Sequence, residues 1–333
     1  MDNLTHSLVG ALIGQCGLKR KTGLAMPALI VGANIPDIDA ACFLWLDGVE
    51  HLAFRRGITH GPIAWVLLPL LVAGGLMWWD RWQERRGTRP EGRLPVRFGW
   101  LYALALIATL SHPALDWLNV YGIRLLEPFS SRWFYGDVLF IIDVWLWAML
   151  GAGLWLSLRR ERRGGAWMRP AWFAALAALL YIGANWAISR DHARLDLLDG
   201  EARETIAAPV PFDPLRRDIL WVSPQGSHSV LPGYAGPTSA RLSIARYGDG
   251  WLASCDLAGA ARRDPQVAAF LFWSRAPLVA RKGGRLWLRD LRFLDPRAVS
   301  NFEVELPPGS CAQFVDDGAG RGPTPSAAAR AGR

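Results

Sequence analysis

Six side chains suited to holding a divalent cation are set into the apolar first half of this chain: His6, Asp37, Asp39, His60, His112 and Asp116. Imidazole and carboxylate together make a donor set for a divalent metal, with zinc the expected occupant. A charged carboxylate in hydrocarbon is costly unless it is partnered. The two aspartates of "GANIPDIDAACF" (32–43) therefore call for a counter-charge, and a shared cation would supply it. In "SHPALDW" (111–117), His112 and Asp116 are four apart, on one face of a helix and about one turn from each other. Asp37 and Asp39, two apart, cannot share a helical face, and Pro36 predicts a broken or kinked segment from which both can still point inward. A cation so held could activate a bound water, with Asp37 or Asp39 as general base and Arg56 facing an anionic group. For Arg56 the competing reading is interfacial snorkelling; for any one of the acids or imidazoles alone it is a structural hydrogen bond. Asp143, inside an apolar run, is a second-rank candidate, and Asp137 reads as a loop or helix-start residue.

The elements that carry these residues read as membrane helices. Segments 61–79, 138–158 and 170–188 each offer about 20 mostly apolar residues, enough to cross a bilayer core. Segment 98–118 fits apart from His112 and Asp116, and 24–46 fits apart from Asp37 and Asp39; residues 5–18 are shorter and suit a re-entrant or partly spanning helix. The cations lie in three clusters: Lys19, Arg20 and Lys21; then Arg81, Arg85, Arg86, Arg89, Arg93 and Arg97; then Arg159, Arg160, Arg162, Arg163 and Arg169. Placing all three in the cytoplasm lets the helices alternate without conflict, with the N-terminus and everything after 190 outside. In that topology the six candidate ligands, from four segments, fall at one depth near the outer face.

The fold class expected is a mainly α, polytopic bundle of about five or six helices followed by a small antiparallel β-rich soluble domain. The expected domains are 1–189, 190–315 and a disordered Gly-, Ala- and Arg-rich tail, 316–333. Residues 190–210 read as a helix extending the last span. The strand-like pieces are "DILWVS", "ARLSIARY", "VAAFLFWSRAPLVARK", "GRLWLRDLRFL" and "NFEVELP". Cys255 and Cys311 could pair if this domain faces an oxidising compartment, while Cys16 and Cys42 read as buried thiols. His192 and His228 read as surface residues. No cleavable signal peptide is evident, and the net charge of +8 sits between apolar spans, which argues against nucleic acid as partner. There is no GxSxG, P-loop or dinucleotide fingerprint.

Four blocks, "NLTHSLVGAL", "PDIDA", "RRGITHG" and "LSHPALDWLNVYGIRLLEPFS" with "WFYGDVLFIID", make the chain resemble the YdjM-type inner-membrane proteins over about residues 3–145. The resemblance implies a metal-dependent hydrolase of the bacterial inner membrane whose ligands correspond to His6, Asp37, Asp39, His60, His112 and Asp116. A fainter similarity to zinc-dependent phospholipases C implies a phosphoester. A lipid or lipid-linked substrate is expected because the site opens at bilayer depth; the alternative is a non-catalytic membrane protein with a structural metal or polar cluster. Three positions depart from the family pattern: Ala40 and Arg55 stand where histidine is common, and Gly61 where serine is. They make a second metal harder to hold than a first.

Overall fold

The computed structural model describes residues 1–195, 204–222, 228–234, 245–247, 255–294 and 299–311. The chain divides into two compact units. The first comprises Met1–Ala41, Arg55–Ala187 and Pro211–Pro214. The second comprises Cys42–Phe54, Ile188–Val210 and the described residues from Leu215 onward.

The first unit is helical. Its elements are α1 (Asn3–Gln15), α2 (Ala25–Asn34) running into most of a 3-10 segment (Ile35–Leu44), α4 (Pro62–Arg85), α5 (Phe98–Trp117), α6 (Val144–Arg162) and most of α7 (Met168–His192). The short α3 (His51–Phe54) falls in the second unit. Ala25–Leu44, Pro62–Arg85, Phe98–Trp117 and Met168–His192 are each long and apolar enough to cross a membrane. The expected span over 138–158 is shortened: Asp143 caps α6 by accepting from Leu146 N (2.8 Å), so the helix starts at Val144, and its last turn is arginine-rich.

Small residues let these helices approach closely. A Cβ on Gly10 of α1 would lie 2.6 Å from Leu29 O, and one on Gly32 of α2 would lie 2.9 Å from Ala105 O of α5. Ala25, Ala28, Leu29 and Ala33 of α2 bury against Leu101, Leu104 and Ala108 of α5 and Ala73 of α4. This contact fixes the depth at which α2 ends relative to His112.

In the second unit, β1 (Glu204–Val210), β2 (Asp213–Val222), β3 (His228–Tyr234) and β4 (Ala245–Tyr247) form one sheet in that order. Strands β5 (Pro277–Lys282), β6 (Arg285–Asp290) and β7 (Glu303–Glu305) form a second, antiparallel one. Ile206, Ala208, Leu220 and Val230 share a core with Ala276, Leu278 and Leu291. Trp273 stacks on Phe293 and Phe302, with centroids 5.4 and 5.2 Å away.

Several expectations change here. The helix read over 190–210 ends at His192, and the β-branched stretch "ETIAAPV" is strand β1. The first half of "VAAFLFWSRAPLVARK" is helix α9 (Pro265–Trp273), preceded by α8 (Leu257–Arg263). An apolar run does not separate strand from helix by periodicity; Asp264 as cap on Gln266 N, with Pro265 in the first turn, decides it. Cys255 and Cys311 are disulfide-bonded, Cys42 is a buried thiol and Cys16 only half-buried. Residues 240–244 of the strand read in "ARLSIARY", the His228 side chain and the 316–333 tail lie outside the described residues.

Candidate metal centre

The break in α2 creates the site. Pro36 has no N–H to return to the carbonyls one turn back. Those carbonyls accept from α5 instead: Thr109 Oγ1 donates to Gly32 O (3.1 Å) and His112 Nδ1 to Ala33 O (2.7 Å). His112 thereby carries a proton on Nδ1, and its Nε2 is the nitrogen turned toward the cluster. One turn on, Asp116 lies on the same face, its Oδ2 3.5 Å from His112 Nε2.

His60 reaches the same point from the 55–60 loop. Thr59 Oγ1 gives its only proton to Asp39 Oδ2 (3.1 Å), so toward His60 Nδ1 (2.9 Å) it can only accept. His60 therefore also carries its proton on Nδ1. Burial pushes the His60 imidazole below its ordinary pKa and disfavours a second proton. Its Nε2 lies 3.1 Å from the Nε2 of His112. Two ring nitrogens at that distance need something positive between them, a proton or a cation. Asp116 Oδ2 is 3.5 Å from His60 Nε2, and Asp37 Oδ1 is 4.0 Å from it and 3.8 Å from His112 Nε2.

His6 comes from α1, whose start is capped by Asp2 on Leu4 N and Thr5 N. Its ring stacks on His112 with centroids 3.7 Å apart, and its Nε2 lies 3.4 Å from Asp116 Oδ1. That oxygen also meets the Met1 amine. His6, Asp37 and His112 each offer one ligand atom within 4.8 Å of the others, and so do His60, His112 and Asp116. All five are buried, and neither His6 nitrogen nor Asp116 Oδ2 has a hydrogen-bond partner. Arg56 Nε does sit 3.1 Å from Asp116 Oδ2 as an ion pair, out of line for a hydrogen bond. Buried donors of this kind, unsatisfied and converging, fit a cation.

Asp39 is buried beside the cluster but is turned toward the loop. Its Oδ2 accepts from Arg56 N (2.7 Å) as well as Thr59, and its Oδ1 from Arg55 Nε (3.4 Å). The geometry makes it the anchor that orients His60. Arg55 Nη2 also holds Asp37 Oδ1 (2.9 Å), so a guanidinium stands on both aspartates where the resemblance led to histidine. Arg56 is held inside: Nη1 donates to Asn119 Oδ1 and Gly122 O (both 3.1 Å), and its guanidinium lies over the Tyr121 ring at 4.4 Å. A buried side chain with these contacts does not snorkel.

A family model described as YdjM inner membrane protein matches residues 1–191, more than half of the 333-residue chain. The chain belongs to the YdjM inner membrane protein family. No curated protein and no solved structure matches it. Family membership and four apolar helices make it a multi-pass inner-membrane protein.

Within this YdjM member, other candidates have structural duties. Asp143 caps α6 and accepts from Tyr181 OH (2.8 Å). Asp137 is a loop residue with φ +55°. His192, expected at the surface, is buried, with Nδ1 bonded to Ile188 O (2.8 Å). Asn119 is a neighbour of the cluster that the sequence hides. It receives Arg56 and also the N–H groups of Tyr121 (2.9 Å) and Gly122 (3.3 Å). An amide three residues beyond Asp116 in an apolar stretch is its only signal.

Proposed function

We propose that the cluster is a divalent-cation centre, with zinc the best-matched ion, serving hydrolysis of a phosphoester or lipid-linked substrate. The observation that carries the cation is the facing pair of Nε2 atoms of His60 and His112, flanked by Asp116 and Asp37. His6, Asp37, His60, His112 and Asp116 would hold it. When bound, such an ion lowers the pKa of water toward neutrality and polarises a phosphoryl or acyl oxygen. The protein's own groups would do the rest. Asp39 and Thr59 keep His60 in its tautomer, and Ala33 O does the same for His112. Asp37 is the carboxylate placed to take a proton from a reacting water, held ready by Arg55. Arg55 is 22 % exposed whereas Arg56 is 7 % exposed, so Arg55 is the better-placed cation for an incoming anionic group. The hydrolytic part of the reading rests on the donor chemistry and the family resemblance.

The outer-face assignment is supported by the three arginine- and lysine-rich clusters and by the Cys255–Cys311 disulfide, which suits an oxidising compartment. A second reading, a non-catalytic structural cation, is favoured by the burial of all five donors. The test is metal content and turnover together. Purified protein, His112→Ala and Asp39→Ala are assayed for bound metal, and metal-loaded protein is offered phospholipid and polyprenyl-phosphate substrates in detergent. Metal lost in His112→Ala and turnover in the wild type support the hydrolase; metal without turnover supports the structural reading; unchanged metal in both variants removes the centre.

A further inference from the structure

A second site lies away from the histidines, at the arginine-rich end of α4. Gly74, Met77, Trp78, Arg81 and Arg85 of α4, with Phe98 at the start of α5, line a cleft of about 340 Å³. The α4 residues recur at helical spacing and form one stripe. Arg81 and Arg85 are one turn apart, so two guanidinium groups can reach one anion. Their neighbours are already engaged: Arg89 and Arg93 pair with Asp80 at 3.3 and 2.8 Å, and Arg86 lies over Trp82 at 4.4 Å. Among the described residues neither Arg81 nor Arg85 has a partner. Such unpaired charge at the end of a membrane-length helix is complementary to an anionic headgroup. The other walls are apolar. A Cβ at Gly74 would meet nothing within 4 Å, and Trp78 is 62 % exposed. The stripe continues toward the bilayer centre through exposed Leu71 and Leu67.

We propose that this cleft binds an anionic phospholipid, its phosphate on Arg81 and Arg85 and an acyl chain along Gly74, Leu71 and Leu67. The volume suits a headgroup phosphate, the glycerol and the first methylenes of one acyl chain beside Gly74, with the rest of the chain along Leu71 and Leu67 outside the cleft. The site is independent of the metal centre and stands or falls separately. Full-length protein in detergent is titrated with phosphatidylglycerol or phosphatidylcholine and the bound lipid read by native mass spectrometry. The wild type should retain phosphatidylglycerol in preference to phosphatidylcholine. Arg81→Gln with Arg85→Gln should weaken that retention by about tenfold. Gly74→Leu, which fills the groove while favouring helix, should weaken it as well, and carries the test if the double variant fails to fold. The pair Arg160→Gln with Arg162→Gln, outside the cleft, should change nothing. Equal retention in wild type and cleft variants would overturn the site. Equal loss in the control pair would reduce it to general surface charge. Displacement by excess inorganic phosphate would make it a soluble-anion site and not a lipid site.

Discussion

At the scale of single residues, the centre is a problem of proton placement. In the proposed centre, His60 and His112 can each turn one nitrogen to a cation because the other is committed, one to Thr59 and one to Ala33 O. Support of this kind typically changes metal affinity by about 10–100-fold when removed. Asp39→Asn, which leaves every proposed ligand in place, should therefore lower metal affinity by about tenfold, measured by competition with a chelator; unchanged affinity would show that the loop needs no such anchor. Gly61 gives a steric case. A Cβ there would lie 1.9 Å from Glu127 O, while the backbone φ of −90° suits any residue. Gly61→Ala should cost about 1–3 kcal/mol, read as a lowered melting temperature, because backbone must move. The residue types of the cluster are legible in the sequence, as is the His112–Asp116 spacing. The duty of Asp39 is not, because a carboxylate that anchors a loop and one that binds metal look the same until their partners are known.

At the scale of elements, breaks matter more than helices. Pro36 frees Gly32 O and Ala33 O for Thr109 and His112. Pro36→Ala restores an N–H that competes for those carbonyls, so it should loosen His112 and reduce bound metal even though it favours helix. A metal content equal to wild type would contradict this. The kinked segment can be read from Pro36 with its two aspartates, and α5 from its length. The α9 helix cannot, because its apolar run hides the period. In the second unit, Asp290 is buried with Arg292 at 2.8 Å. Burial alone would raise its pKa; the Arg292 guanidinium, with hydrogen bonds from Arg292 and Ser274, outweighs burial and holds it below the ordinary 3.8. A depressed carboxylate contributes stability above its unfolded value and loses it as pH falls through the folded one. Acid unfolding of this unit should therefore begin below about pH 4, and Asp290→Asn should flatten that dependence in a pH series of melting temperatures.

At the scale of the whole molecule, a membrane-length helical unit is joined to a β-rich one closed by Cys255–Cys311 across a separation of 56 residues. Closing a loop of that size is worth about 4 kcal/mol in the chain-entropy account. Reduction should lower the melting temperature of the second unit and leave bound metal in the first unchanged, measured on one sample by calorimetry and metal assay. The division into apolar and soluble halves can be read from composition. The assignment of Cys42–Phe54 to the second unit cannot, because it arises from contacts distant in sequence, such as Val49 N to Gln266 Oε1 (3.4 Å).

The most direct test of the centre is X-ray absorption at the zinc edge of purified, zinc-loaded protein after dialysis. The proposed centre requires two or more imidazole nitrogens at about 2.0–2.1 Å, with that signal lost in a His60→Ala, His112→Ala variant. A spectrum of oxygen ligands alone, or no metal retained by the wild type, would contradict a cation between the two histidines.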